Sequence, residues 1–295
     1  MFDTIITNCS LFLKPAARVI IRKMLKRGHP SVNVQLLAQK TRLFLLDMDG
    51  TVYLGRRWIA GAREFLDRVQ ATGRQYAFVT NNSTKGTTAY VEKLAGMGLA
   101  VEPRQIIISS HAAADYLTRR LPGRRVFVLG TDQLRQELAG RGVSVCQDRT
   151  ADAAVVSFDT SLCYADLCVI CDLVRAGVPY IATHPDRNCP TETGFIPDAG
   201  ANIAYIEAST GRLPDAVLGK PQPGLIEYGM RAFGVPRGHT AMLGDRLYTD
   251  VKSGLNAGVT AVLVLSGETK REDLENSGIV PDLVLDSVAD ITPYL

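Results

Sequence analysis

From residue 42 onward, short apolar runs alternate with segments of helical spacing, and this alternation constrains the fold more than any other feature. The first predicted strands are Arg42–Leu46, Gln75–Thr80 and Gln105–Ser109, and helices are predicted over 61–72, 87–97 and 111–120. Such alternation is typical of parallel βαβ units with helices on both faces of a sheet. We therefore predict an α/β fold with a Rossmann-like, doubly wound parallel sheet.

A punctuated break at Leu121–Arg125 divides this pattern, and a second α/β run follows it. The first style returns after Gly211–Pro214, with strand Ala216–Leu218 as its first element. We expect one α/β core interrupted by an inserted α/β cap domain. The predicted ranges are a basic extension at 1–41, a first core part at 42–120, a cap at 121–213 and a second core part at 214–295.

Net charge is unevenly distributed along the chain. Residues 1–42 hold eight Lys/Arg and one acid, a net charge of +7. Because the whole chain has a net charge of +3, the remaining residues carry −4. A predicted basic amphipathic helix before Gly28 and Pro30 suits a membrane surface or a partner, or packing on the domain. No apolar run reaches the ~18 residues of a membrane-spanning helix. Because the main body lacks a basic excess, we do not expect nucleic-acid binding, and because no long apolar run is present, we do not expect stable membrane insertion.

Six scattered cysteines lack the density of a disulfide framework, and we interpret them as free thiols of a reducing compartment. Cys168 and Cys171 form a CxxC inside an apolar stretch without a second CxxC, which favours core packing over zinc or redox chemistry. The expected location is cytoplasmic.

Two acids follow the first strand directly, in the run Asp47-Met48-Asp49-Gly50-Thr51. Carboxyl ends of strands in open parallel sheets are where ligands bind. Acids against a buried strand are costly unless they are neutralised, and oxygen ligands favour magnesium. Asp and Gly are also common turn residues, so this motif alone leaves a plain turn open.

Three later segments add polar groups after other strands. Thr80-Asn81-Asn82 offers hydroxyl and amide donors, although such residues also cap helices. Lys220 stands between Gly219 and Pro221, which indicates a fixed position rather than a solvated one. Asp245 and Asp250 follow a further strand, with Asp250 at a predicted helix start, where an acid also favours the helix dipole.

These segments converge if the strands are parallel. Four carboxylates brought together without a cation would repel by several kcal/mol. Mg²⁺ and Lys220 resolve this repulsion and leave room for a phosphoryl group. A carboxylate nucleophile then forms an aspartyl-phosphate, shielded from its negative substrate by the cations.

The four segments, in this order, resemble the haloacid dehalogenase-like superfamily over about residues 42–290, with residues 1–41 outside the resemblance. The stretches TNNST, HPDRNCP, PDAGANIAYIEASTGR and GKPQP are similar to its NagD-type, or p-nitrophenyl phosphatase-like, branch.

The resemblance implies a role for each matching residue. Asp47 would be the nucleophile and a metal ligand, and Asp49 the general acid and base whose main-chain carbonyl ligates the metal. Asp245 would be a metal ligand, and Asp250 a ligand or an orienter of one. The implied phosphate-binding residues are Thr80, Asn81 (through its main chain), Asn82 and Lys220.

The cap is expected to select the substrate, a small phosphorylated metabolite. His184, Asp186 and Arg187 follow a predicted strand, and a substrate contact and a structural role are both open for them. A homodimer through the cap is a further expectation from the resemblance. The alternatives to a phosphatase are a phosphomutase or dehalogenase of the same superfamily, a non-catalytic metabolite-binding protein and a phospho-accepting signalling domain.

Overall fold

The computed structural model describes residues 33–82, 84–191 and 194–295. The helix predicted before Gly28 and Pro30 lies outside these residues. The strands are β1 (Leu43–Leu46), β2 (Tyr53–Leu54), β3 (Arg57–Trp58), β4 (Gln75–Thr80), β5 (Ile106–Ile108), β6 (Arg125–Leu129), β7 (Ser144–Cys146), β8 (Ala153–Val156), β9 (Tyr180–Ala182), β10 (Asn188–Thr191), β11 (Gly194–Pro197), β12 (Ala216–Val217), β13 (Thr240–Gly244), β14 (Thr260–Val264) and β15 (Leu283–Leu285).

The helices interleave with these strands. They are α1 (Val34–Lys40), α2 (Ala62–Ala71), α3 (Thr87–Gly96), α4 (Ser109–Arg120), α5 (Asp132–Gly140), α6 (Tyr164–Arg175), α7 (Ala199–Thr210), α8 (Gly224–Phe233), α9 (Lys252–Ala257) and α10 (Asp273–Ser277). Short 3₁₀ segments occupy Pro103–Gln105, Arg237–His239 and Val288–Tyr294, and Leu247–Val251 forms a π-helical turn.

The chain divides into two compact units. The first comprises the described residues up to Gln75 together with Arg237–Leu295, and the second is Tyr76–Pro236. Because the second unit is continuous, the first is built from two distant stretches of sequence. The domain ranges expected from sequence remain a prediction.

The first unit contains a parallel sheet in the order β15, β14, β13, β1. All four residues of β1 are fully buried, and Phe44 meets Phe65 of α2 edge to face at 5.4 Å. Burial of such side chains contributes about 1.5–3 kcal/mol each. Leu37 and Ala38 of α1 are also buried, so this helix is part of the unit although it lies within the predicted extension.

The second unit contains β4 paired in parallel with β5, and a five-stranded parallel sheet in the order β12, β9, β8, β6, β7. Helices α6 and α7 supply apolar side chains to a core with this sheet, among them Ile170 and Ile206. An antiparallel hairpin joins β10 to β11. The predicted α/β class with parallel sheets is confirmed.

Two predicted elements differ in the structure. Strand β12 was predicted to belong to the core, but it pairs with β9 in the five-stranded sheet. A run of two or three residues carries no signal about its partner, so periodicity was unable to place it. The helix predicted to start at Asp250 begins three residues earlier, because Asp250 lies in the first turn of the π-helical segment Leu247–Val251.

Candidate active site

Asp47 stands where β1 ends, beside the end of β13. Its main-chain N–H donates to the carbonyl of Leu243 at 2.9 Å, which continues the ladder that pairs Leu46 with Leu243. Because the two strands are parallel, Asp47 and the residues after Gly244 share one edge of the sheet. The structure confirms the sequence prediction that Asp47 and Asp245 follow parallel strands.

A tight turn after Asp47 brings the backbone against Asp245. The N–H of Val52 donates to the Met48 carbonyl at 3.0 Å, and Gly50 has φ of +87°. A Cβ on Gly50 would lie 2.3 Å from Oδ2 of Asp245. Glycine is therefore required here for both conformation and space.

Asp245 is buried and held from several sides. Its Oδ2 accepts the N–H of Glu268 at 2.7 Å, and its Oδ1 accepts the hydroxyl of Thr51 at 3.3 Å. A Cβ on Gly267 would lie 2.1 Å from Oδ2, so the loop at 266–269 also closes on this carboxylate. Burial, and next the charge of Asp250, raises the pKa of Asp245.

Asp250 is fully buried, and its Oδ2 accepts the N–H of Arg246 at 3.1 Å. Asp47, Asp245 and Asp250 each offer one oxygen, and these three oxygens lie within 4.8 Å of one another. Three carboxylates at this spacing suit a hard divalent cation, which would also relieve the cost of burying them. The donor set therefore fits a metal ion.

Asp49 is not in this carboxylate cluster, and its side chain is exposed. It was predicted as both a metal-site residue and the general acid and base. An exposed carboxyl beside the cluster is compatible with proton transfer, and its side chain is not among the clustered ligands.

Arg246 is a charged neighbour that the sequence reasoning missed. Its Nε lies 2.9 Å from Oε2 of Glu268. Burial opposes the charge of Arg246, yet neighbouring acids raise its pKa, Glu268 most and Asp47 and Asp245 in addition. The signal in the sequence is its place directly after Asp245.

In the second unit, the residues after β4 have separate structural partners. The hydroxyl of Thr80 accepts the N–H of Asn82 at 3.2 Å. Oδ1 of Asn82 accepts both the N–H and the hydroxyl of Thr84, at 3.0 and 2.8 Å. These contacts form an Asx turn rather than a helix cap, because α3 begins only at Thr87, and the phosphate-binding role of Asn82 stays a prediction.

Lys220 is buried, with an exposed fraction of 3%. Its Nζ donates to the carbonyl of Val79 on β4 at 3.0 Å. The preceding Gly219 donates its N–H to the Thr183 carbonyl at 2.7 Å. The main chain at Lys220 also pairs with the side chain of Asn81, at 2.8 Å in both directions.

The loop after β9 surrounds a buried histidine. His184 is fully buried, with Nδ1 2.9 Å from the Thr183 hydroxyl and Nε2 2.8 Å from Oδ1 of Asp198. Asp198, which sequence reasoning did not single out, also caps α7. Oδ2 of Asp186 accepts from Asn81 at 3.0 Å, and the carbonyl of Arg187 accepts the N–H of Asp198. Substrate contact by the three predicted loop residues stays a prediction.

Among the residues that the structure describes, every helix is too short or too polar to cross a membrane. The five described cysteines are free thiols, and Cys171 is buried on α6 beside the half-buried Cys168.

Parallel α/β architecture and a carboxylate cluster where β1 and β13 end define a Rossmann-like hydrolase core, and comparison with known proteins agrees. Residues 44–144 match the family model of haloacid dehalogenase-like hydrolases, and residues 217–291 match a second, HAD-hydrolase-like model. An acid sugar phosphatase of Staphylococcus aureus (strain MRSA252) is 35% identical over 240 residues, which cover 81% of this chain and 92% of that protein.

Solved structures give the same result. The 4-nitrophenylphosphatase of Thermotoga maritima superposes with a TM-score of 0.83 at 43% identity, over 87% of this chain and 98% of that one. The p-nitrophenyl phosphatase of Archaeoglobus fulgidus gives 0.81 at 31% identity, over 87% and 100%. The chain therefore belongs to the haloacid dehalogenase-like hydrolases. It is a phosphoric monoester hydrolase of their NagD-type, p-nitrophenyl phosphatase-like branch, as predicted.

Proposed function

We propose that this phosphatase is Mg²⁺-dependent and hydrolyses the phosphate monoester of a small metabolite through an aspartyl-phosphate on Asp47. The observation that carries the proposal is the approach of Asp47, Asp245 and Asp250 to within 4.8 Å. A phosphomutase, a dehalogenase, a metabolite-binding protein and a signalling domain are less well supported, because the relatives matched along most of the chain are phosphatases.

In the first half-reaction, a carboxylate oxygen of Asp47 attacks phosphorus, and the bond from phosphorus to the ester oxygen breaks. Asp49 gives its proton to that oxygen, so the leaving group departs as an alcohol. In the second half-reaction, Asp49 accepts a proton from water, whose oxygen attacks the aspartyl-phosphate and releases inorganic phosphate. The exposed position of Asp49 supports this exchange with solvent.

The remaining residues hold charge in place. Asp47, Asp245 and Asp250, with the main-chain carbonyl of Asp49, would hold Mg²⁺. When bound, this ion supplies a positive charge that offsets the repulsion between the phosphoryl group and the carboxylates. Thr80, the main chain of Asn81, Asn82 and Lys220 would hold phosphoryl oxygens.

Substrate, assembly and location extend the proposal. Sugar phosphates, phosphoglycolate, nucleotides and p-nitrophenyl phosphate are the substrate types considered, and the acid sugar phosphatase relative favours the first. Exposed apolar side chains such as Phe195 and Tyr205 in the second unit support a homodimer through the cap. Free thiols support a reducing, cytoplasmic location.

The test is hydrolysis of p-nitrophenyl phosphate by wild type and Asp47→Asn, with and without Mg²⁺. We expect Asp47→Asn to abolish turnover and chelation to remove wild-type activity. A matched control is Asp132→Asn, an exposed acid in the other unit, which should keep full activity. Turnover by Asp47→Asn would refute the nucleophile, and turnover after chelation would refute the metal dependence.

A further inference from the structure

The side-chain amide of Asn81 pairs with the main chain of Lys220 at two points. Oδ1 accepts the N–H of Lys220 at 2.8 Å, and Nδ2 donates to the Lys220 carbonyl at 2.8 Å. Asn81 is 6% exposed and Lys220 is 3% exposed, so water does not compete for these bonds. The amide thus fixes both polar groups of one residue's backbone, as a neighbouring strand would.

Asp186 fixes which way this amide points. The second N–H of Nδ2 donates to Oδ2 of Asp186 at 3.0 Å. A carboxylate is an acceptor, so it favours the amide orientation that places the NH₂ toward Asp186 and the oxygen toward the Lys220 N–H. The side chain of Asn81 therefore connects Asp186, in the loop after β9, to the main chain of Lys220 by hydrogen bonds.

The residues around Asn81 and Lys220 allow these two residues to approach closely. A Cβ on Gly219 would lie 2.6 Å from Oδ1 of Asn81, so only glycine lets the amide reach the following residue. The Asn81 carbonyl accepts the hydroxyl of Ser109 at 2.6 Å, which anchors the main chain on the other side. Nζ of Lys220 returns to the carbonyl of Val79, two residues before Asn81.

We propose that the Asn81 side chain is a positioning residue that holds Lys220 for phosphoryl binding, and that Asp186 acts on the reaction through Asn81. This inference rests on the proposed function, in which Lys220 binds a phosphoryl oxygen. A flexible lysine loses side-chain entropy when it is ordered. Because Asn81 already fixes the backbone of Lys220, less conformational entropy of this lysine remains to be lost when the phosphoryl group binds. The inference also gives Asp186 a role that needs no substrate contact.

A double-mutant cycle on Asn81→Ala and Lys220→Ala tests the proposal. Asn81→Ala keeps the main-chain N–H that the proposed function assigns to phosphate, so the cycle isolates the side chain. We expect each single variant to lower kcat/KM by about 100-fold, a loss typical of a displaced reacting group. We expect the double variant to match Lys220→Ala, because Asn81 acts only through that lysine. Losses that multiply in the double variant would overturn the proposal.

A rescue experiment separates positioning from folding. In Asn81→Asp, an oxygen replaces the NH₂ and faces two acceptors, so we expect activity to fall as far as in Asn81→Ala. Adding Asp186→Asn supplies a donor, and we expect it to raise the activity of Asn81→Asp although Asp186→Asn alone lowers that of wild type. Inhibition by inorganic phosphate should weaken and recover in parallel. A further loss in the double variant would contradict the role of Asp186.

Asn202→Ala is the matched control. Asn202 is 9% exposed, and its Nδ2 donates to the Ser157 carbonyl at 3.0 Å rather than to Lys220. We expect it to lower Tm as Asn81→Ala does and to keep kcat/KM. If Asp47→Asn is inactive but the cycle is additive, the inference fails and the proposed function stands. If Asp47→Asn is active, the proposed function itself fails.

Discussion

At the scale of single residues, the carboxylate of Asp245 depends on neighbours that have no side chain. Gly50 and Gly267 both bring the backbone to where a Cβ would touch its Oδ2. Gly267 does not need positive φ, so the requirement there is space alone. The loop that contains it also donates the N–H of Glu268 to the same oxygen.

We expect Gly267→Ala to weaken metal binding, because the methyl group must displace the Asp245 carboxylate. Changes to groups that orient a metal ligand cost about 10–100-fold in affinity. The measurement is activity as a function of Mg²⁺ concentration, where the variant should need more Mg²⁺ and recover part of its activity at saturation. Gly238→Ala, with open space around its Cβ, should behave as wild type. Identical Mg²⁺ dependence for Gly267→Ala would contradict the prediction.

The residues of the candidate site were predictable where a carboxylate directly follows a predicted strand. Asp47 and Asp245 follow buried runs, so their convergence came from the parallel pattern. Asp198 was not predictable in this way, because its partner His184 lies in another element and an N-cap acid is common in any helix. Arg246 was passed over since its pairing with Glu268 joins two loops.

At the scale of elements, one partly buried hydrogen-bond network connects several helices of the second unit. Oε1 of Glu137 on α5 lies 3.1 Å from Nε2 of His111 on α4 and 2.9 Å from Nε of Arg141, which follows α5. The hydroxyl of Thr87, the first residue of α3, is 3.3 Å from the same oxygen. The hydrogen bond with His111, and then Arg141, lowers the pKa of Glu137 to about 2 although burial opposes this.

We expect Glu137→Gln to reduce stability at pH 7 and to flatten its dependence on acid. A depressed pKa stabilises the folded state above the unfolded value of 4.5, and this contribution is lost as pH falls from 4.5 toward 2. The variant lacks the contribution from the start, and we expect a loss of about 1–2 kcal/mol at pH 7. Urea unfolding at pH 7, 4.5 and 3 measures both effects.

Burial lowers the pKa of His111, so its protonation below pH 6.5 destabilises wild type in addition. Glu64→Gln, which removes an exposed acid of α2, should keep the wild-type slope between pH 4.5 and 3. If the unfolding free energy of Glu137→Gln falls with pH as steeply as that of wild type, the network does not cause the loss of stability in acid.

Most strands were predictable, including the short apolar β1, whereas helix α7 and the hairpin of β10 and β11 were not. The β4 range Gln75–Thr80 agrees with the sequence prediction, and β1 begins one residue later than predicted. Helix α7 was missed because its apolar residues do not form one face, and β10 and β11 because Pro and Gly interrupt them.

At the scale of the whole molecule, folding brings the carboxylates of Asp47, Asp245 and Asp250 close together, which costs stability. Burial and Asp250 raise the pKa of Asp245, so its ionised form costs stability at neutral pH when no cation is bound. A ligand that binds only the folded state restores stability by mass action, about 2.7 kcal/mol at 100 times its Kd.

We expect Asp245→Asn to leave the metal-free Tm unchanged or raised, since it removes one buried charge, and to abolish the rise in Tm that Mg²⁺ gives wild type. Thermal unfolding with EDTA and with an excess of Mg²⁺ provides the comparison. Asp282→Asn, an acid outside the carboxylate cluster, should keep the full Mg²⁺ effect. A Tm of Asp245→Asn that still rises with Mg²⁺ would place the ion elsewhere.

The order in which a ribosome delivers this chain follows from the split first unit. Leu43 of β1 pairs with Thr240 of β13, and the continuous second unit lies between them. At about 5–20 residues per second, the nascent strand β1 waits roughly 10–40 s for that partner. Asp47 is therefore made well before Asp245 and Asp250, and it stays without these two fellow carboxylates over that interval.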